Sequence, residues 1–177
     1  ITGGTTTVTG NITLTLGTGT QTTTAVVNLD GGILQVNGNI SDGSVTTGTS
    51  TINLNGGTLR AGANNATWMQ GLTAANVEAG GAIIDSNGFN VTIAQQLLDA
   101  GGGLTKQGAG TLTLTGANQY SGATNVNTGT LALQGGVAIF DTAGPVNVTL
   151  GATLQLNSSE TVSSYNGAGD LGGTNDS

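Results

Sequence analysis

Residues 101–136 read GGGLTKQGAGTLTLTGANQYSGATNVNTGTLALQGG. With period two, Leu112 and Leu114 fall on one side of the chain and Thr111, Thr113 and Thr115 on the other. That is the alternation of a short strand with one apolar face. A Gly-Ala-Asn turn follows, then Ala123 to Asn127, then a second strand carrying Leu131 and Leu133. GTLTL and GTLAL thus recur 19 residues apart, counted from Leu112 to Leu131. Self-similarity at such a step points to a repeat architecture.

The same unit recurs outward in both directions. It is apolar-x-apolar, a Gly-rich turn, then a second apolar strand: VNLDGGILQV at 27–36, INLNGGTLRA at 52–61, VEAGGAIIDS at 77–86 and VTLGATLQL at 148–156. The chain opens in the same style, with Ile12, Leu14 and Leu16 alternating before a polar loop that runs to Thr24. If Leu14, Leu34, Leu59, Ile83, Leu112, Leu131 and Leu154 are equivalent, the steps are 20, 25, 24, 29, 19 and 23 residues. Steps of this size suit one coil of a solenoid with two or three short strands per turn. The expected fold is therefore all-β, a parallel β-solenoid of about seven coils filling 1–177 as a single domain, its strands stacked about 4.8 Å apart. Asn37-Gly38, Asn55-Gly56, Asn87-Gly88 and Asn166-Gly167 read as corners, where positive φ is often required. An antiparallel meander also uses Asn-Gly turns, but gives no reason for one motif to recur at coil spacing.

Composition narrows the functional classes. Only 6% of residues are charged, 33 are Gly, and the formal net charge is −7. Gly and β-branched residues make poor helices. With a single Lys and a single Arg, the chain lacks the basic footprint of a nucleic-acid binder. There is no Cys and no His, so disulfide and thiol chemistry are excluded and imidazole is absent from any site. No apolar run of about 18 residues is present, so no membrane insertion by a helix is expected. No basic n-region opens the chain, so no signal peptide is expected within it.

The central stretch also resembles a known family, the autotransporter-associated β-strand repeat of bacterial passenger regions. The matching residues are Gly103-Leu104-Thr105-Lys106, Gly108-Ala109-Gly110-Thr111-Leu112, Thr115-Gly116-Ala117-Asn118, Tyr120-Ser121-Gly122, Thr124, Val126 and Gly129-Thr130-Leu131. Residues 62–98, which hold the only Trp and the only Met, resemble the segment that often precedes this motif, so the likeness spans about 62–136. The resemblance implies a right-handed parallel β-helix in an extracellular bacterial surface protein. Trp68, Met69 and Leu72, and again Ile93, Leu97 and Leu98, sit at short-helix or turn spacing, so 62–98 is expected to form an outer loop insertion packed on the solenoid. A ligand-stacking Trp68 is the sharper alternative.

Many β-solenoids cleave polysaccharides, which needs carboxylates converging on one face. The acids are Asp30, Asp42, Glu78, Asp85, Asp99, Asp141, Glu160, Asp170 and Asp176. None shares a defensible register with another. Glu78 is expected to face solvent and Asp85 to cap a corner. The reading is therefore not an enzyme: no catalytic residue, no cofactor and no metal site. NGAGDLGG at 166–173 approaches a calcium-binding nonamer only once, and GGGLTKQGAG lacks the Gly-Lys-Ser/Thr of a phosphate loop and leads into a strand. Thr113 has no Thr ladder around it of the kind that orders ice. Asn-x-Ser/Thr sequons at Asn11, Asn39, Asn65, Asn90, Asn147, Asn157 and Asn175 are too easily met by chance in so Thr-rich a chain to carry weight.

What is left is a structural or adhesive segment acting through surface rather than site. The alternative is a carbohydrate-binding or carbohydrate-cleaving β-helix. Neither end reads as a cap, so the expected partners are neighbouring coils of the same parent chain, or the protein itself through end-to-end stacking or strand exchange. Surface glycans are a further candidate partner.

Overall fold

The computed structural model describes residues 1–14, 23–43, 48–136, 138–139 and 143–173, and all regular structure among them is strand. The first coil supplies β1 (Thr2–Val8) and β2 (Ile12–Leu14). The second supplies β3 (Thr23–Leu29), β4 (Gly31–Val36) and β5 (Ile40–Asp42), and the third β6 (Gly48–Leu54), β7 (Thr58–Ala61) and β8 (Asn65–Gln70). The fourth holds β9 (Ala74–Glu78), β10 (Ala82–Asp85) and β11 (Val91–Ile93), and the fifth β12 (Leu98–Ala100), β13 (Leu104–Gln107) and β14 (Thr111–Leu114). Three two-stranded coils follow: β15 (Thr124–Val126) with β16 (Thr130–Leu133), β17 (Val146–Val148) with β18 (Thr153–Leu156), and β19 (Tyr165–Gly167) with β20 (Asp170–Gly173).

These strands form three sheets with coil-by-coil order. One runs β1-β4-β7-β10-β13-β15-β17-β19, a second β2-β5-β8-β11-β14-β16-β18-β20, and a third β12-β9-β6-β3. Neighbours pair in parallel, as in β4 with β7 and β14 with β16. The molecule is a parallel β-solenoid, and eight rungs on each long sheet lie close to the expected seven coils. Among the described residues, the coils from β3 to β12 carry three strands and those beyond carry two.

The core consists of stacked ladders. Val91, Leu112, Leu131 and Leu154 occupy one register on the second sheet, and Ile93, Leu114, Leu133 and Leu156 the next inward one. Leu34, Leu59 and Ile84 stack on the first sheet, and Leu29, Leu54 and Val77 on the third. Most of these side chains have no exposed surface. Period-two alternation within each strand, repeated at coil spacing, is sufficient to build such ladders.

Three expectations need correction. Leu14, Leu34, Leu59 and Ile83 do not share a ladder with Leu112, Leu131 and Leu154. Leu34 and Leu59 lie on the first sheet, and it is Ile84, not Ile83, that continues them. Similar GG-apolar motifs lead into both long sheets, so motif likeness alone mixes the two. Second, 62–98 is not an outer loop: it forms β8 to β11, with Trp68, Met69, Val77, Ile84, Val91 and Ile93 buried. The spacing misleads because β8 is bulged. Val91 pairs with Asn65 and Ile93 with Met69, so four steps on β8 match two on β11 and the alternation is broken there. Third, Asn166-Gly167 lies within β19 rather than at a corner. Leu16 and most of the loop expected up to Thr24 fall outside the described residues.

The Leu112–Leu131–Leu154 ladder is as expected, and it supplies a test. Leu131→Asp places a carboxylate where no partner exists and should destabilise by about 4 kcal/mol or more. Thr113→Asp, on the outward face of the neighbouring rung, should cost about 1 kcal/mol or less. Urea denaturation of both variants checks the register; equal losses would contradict it.

Candidate interaction surface

The most unusual side chain is Lys106. Leu104 and Lys106 are two apart on β13, so both face inward, and Lys106 stands in register between the apolar Ile84 and Val126. It has no exposed surface. Its stem continues the ladder while the ammonium reaches the corner between the two long sheets. There Nζ donates to the carbonyls of Gln107 at 3.0 Å, Gly108 at 2.7 Å and Thr128 at 2.9 Å. Three donors meet three acceptors, which removes the main cost of burying the group. Thr128 belongs to the next coil, so the lysine fastens two corners together. Gly129 has φ +69°, and a Cβ there would lie 2.9 Å from Nζ and closer still to the carbonyls of Gly108 and Gly110, so the cradle requires glycine.

Beside this cradle, Asp85 caps its corner. Its Oδ1 accepts the Asn87 N–H at 2.8 Å and its Oδ2 accepts Arg60 Nε–H at 2.7 Å. Ile84 is the inward residue of this pair and Asp85 stacks on the outer face between Arg60 and Gln107. The lone Arg and an acid are thus consumed in one ion pair. Asp99 is similarly occupied: Oδ1 accepts from Ser121 N–H, Ser121 Oγ–H and Gly101 N–H, and these bonds hold its carboxyl below the usual range. Asp99 lies in the register of buried Val77 but is exposed, so the inward ladder of the third sheet stops there. The turn at 116–122 takes over, with Tyr120 buried and its hydroxyl 2.8 Å from Thr124 Oγ1.

Amide side chains run along the corners. Asn11 Oδ1 accepts Asn39 N–H, Asn39 Oδ1 accepts Asn65 Nδ2–H, Asn64 Oδ1 accepts Asn90 N–H, and Asn90 Oδ1 accepts Thr111 N–H. A second series satisfies buried backbone where the third side is irregular: Gln95 takes Leu72 N–H, Asn118 takes Leu97 N–H, and Glu160 takes Ile139 N–H. On the third sheet Asn28, Asn53 and Asn76 bond in line. Sequence reading missed these ladders, although Asn recurring just before each strand was a signal for the first of them.

No cluster of three or more metal-ligating side chains occurs among the described residues. Asp141 and Asp176 lie outside those residues. Trp68 is fully buried with Nε1 donating to Val36 O at 3.3 Å, so it offers no stacking surface to a ligand. Thr92 and Thr113 are in register, but Ala132 and Gln155 continue their row, while Gln35 and Arg60 belong to the other long sheet. Beside the β8 bulge lies a shallow depression of about 500 Å³ lined by Asn64, Asn65, Asn90, Thr92, Thr111 and Thr113 among others. It carries amides and hydroxyls and no charge, so it can hydrogen-bond but has no acid or base for proton transfer.

Burial lowers the Lys106 pKa to about 8, while attraction to the Asp85 carboxylate pulls it the other way. Its folded value is thus below the unfolded one. Between about pH 8 and about pH 10 the unfolded chain retains a proton that the folded chain has released, so stability should climb with pH. Burial of Tyr120 holds its phenol above the usual range, so above about pH 10 the unfolded chain ionises first and stability should fall. Thermal melts across this range should show the maximum. Lys106→Met should abolish the climb and keep the fall, and a climb that survived in that variant would assign it to another group.

With this geometry in view, the comparisons with known proteins are specific. No curated protein and no solved structure matches the chain. A family model described as passenger-associated-transport-repeat matches residues 104–133, which run from the first residue of β13 to the last of β16 and contain both Lys106 and the Gly129 that makes room for it. The segment Leu104–Leu133 of this β-solenoid is thus a match to the autotransporter passenger repeat.

Proposed function

We propose that the chain is a non-catalytic structural segment of a bacterial passenger protein, displayed outside the cell, which holds adjoining regions apart and acts through its surface. The observation that carries this reading is that both cations and several of the described acids are committed to structure. Lys106 fastens two corners, Arg60 and Asp85 neutralise each other, and Asp99 holds the turn that replaces the third sheet. The repeat match at 104–133 supports a secreted or surface-exposed setting. Shaving intact source cells with protease, then probing with antibody against this segment, is the direct check. Loss of the signal without cell lysis is expected; a signal retained until lysis would contradict surface display.

Self-association is a second part of the proposal, and one residue favours it. Leu171 is in register with Leu154 at the end of the leucine ladder, yet is 56% exposed. A further coil, from the same parent chain or from a second copy, would cover it. Light scattering of the 177-residue chain over a wide concentration range should show growth into open-ended species, and Leu171→Asp should suppress it. A strictly monomeric parent throughout would leave only neighbouring coils of the same chain as partner. The uncharged depression beside the β8 bulge is where a surface glycan would lie, as a bound ligand and not as a substrate.

A further inference from the structure

Val91, Leu112, Leu131 and Leu154 form an inward ladder, so the residues just before them face outward. These are Asn90, Thr111, Thr130 and Thr153. Asn64 extends the rank one coil back, since Asn65 pairs with Val91 and Asn90 N–H bonds to Asn64 Oδ1. The rank thus crosses successive coils with amides and hydroxyls alone. Asn64, Asn90 and Thr111 line the depression of about 500 Å³ beside the β8 bulge. Thr92 and Thr113, the next outward residues on their strands, line it as well.

The two amides are held in place by backbone. Asn64 Oδ1 accepts Asn90 N–H at 2.8 Å, and Asn90 Oδ1 accepts Thr111 N–H at 3.0 Å. Both asparagines are exposed, and no described group accepts from either Nδ2. On the third sheet, by contrast, Asn76 Nδ2 donates to Asn53 and Asn53 Nδ2 to Asn28. The hydroxyls of Thr92, Thr111 and Thr113 also have no described partner, and each can donate or accept. The fold therefore presents ordered, unused hydrogen-bonding groups at intervals of one coil.

Charge and spacing select the occupant. No charged and no aromatic side chain lines the depression. Lys106 and Arg60 are committed to structure, and a net charge of −7 repels polyanions. Stacked strands set the period of the rank at about 4.8 Å. An extended chain of equatorially linked pyranoses advances by nearly that length per residue, with hydroxyls along both edges.

We propose that this rank binds an uncharged, equatorially linked polysaccharide lying along the solenoid axis, one sugar to each coil. The proposal rests on the reading that the depression takes a glycan, and adds the charge, linkage and direction of that glycan. Each sugar meets one amide or hydroxyl of the rank, with Thr92 and Thr113 as a second line of contact. Such contacts are weak singly and add along the polymer.

NMR titration of the isotope-labelled 177-residue chain reads the place and the strength of binding together. The probes are β-1,4-linked oligomers of glucose and of mannose, from disaccharide to pentasaccharide. Shifts are expected at the side-chain amides of Asn64 and Asn90 and at the backbone of Thr111 and Thr113. Affinity should rise by about tenfold or more across each series. Thr111→Val combined with Thr113→Val keeps β-branched side chains on the outward face, so the fold should persist while pentasaccharide binding weakens about tenfold. Thr105→Val, outward on the first long sheet, should change nothing. The same glucose oligomers oxidised to uronates should not bind. Shifts in the depression of equal strength for disaccharide and pentasaccharide would overturn the axial arrangement and leave a glycan site. Equal binding of the uronates would overturn the assignment to an uncharged polymer. No shift with either series would overturn this proposal and the glycan reading together, while surface display is decided separately by protease shaving.

Discussion

The structure depends on parallel backbone pairing between successive coils. Once β4, β7, β10 and β13 pair in one register, every side chain is stacked on its counterpart one coil away. A residue is then selected for its fit to two neighbours about 20 to 25 positions distant, not for local propensity alone. Apolar residues meet the inward constraint as Leu, Ile and Val ladders. Asparagine meets the same stacking at the corners and on the third sheet, because one amide both donates and accepts and so bonds to the same amide or to backbone in the next coil.

Lys106 shows how strict the constraint is. An ammonium in an apolar ladder would ordinarily be expelled by the cost of desolvation. Here the ladder position carries the stem to a corner where carbonyls from two coils converge, and Gly129 leaves the room. The same logic places several of the described acids. Asp85, Asp99 and Glu160 are each placed where a backbone N–H or a cation needs an acceptor, on different coils and different sides.

The change from three sides to two is the other consequence of stacking. At Asp99 the inward ladder of the third sheet receives a charge, and no apolar residue succeeds Leu29, Leu54 and Val77. Backbone left unpaired by the missing strand is satisfied instead by Asn118 and Glu160, with Tyr120 filling the volume. The later coils shorten accordingly, and the repeat match begins just after this transition.

The sequence by itself determined the all-β class, a coil step of about 20 to 25 residues and the leucine ladder through Leu112, Leu131 and Leu154, because period-two alternation and a recurring motif are both read directly along the chain. It also marked three Asn-Gly corners correctly. Tertiary structure alone decided which sheet each motif joins, since similar turns lead into both long sheets. Only the folded chain shows that 62–98 is part of the coils, because the β8 bulge hides the alternation that Trp68 and Met69 would otherwise display. The inward face of Lys106 was legible from its two-residue separation from Leu104. Its tolerance there was not, because the carbonyl of Thr128 that completes its cradle comes from the next coil.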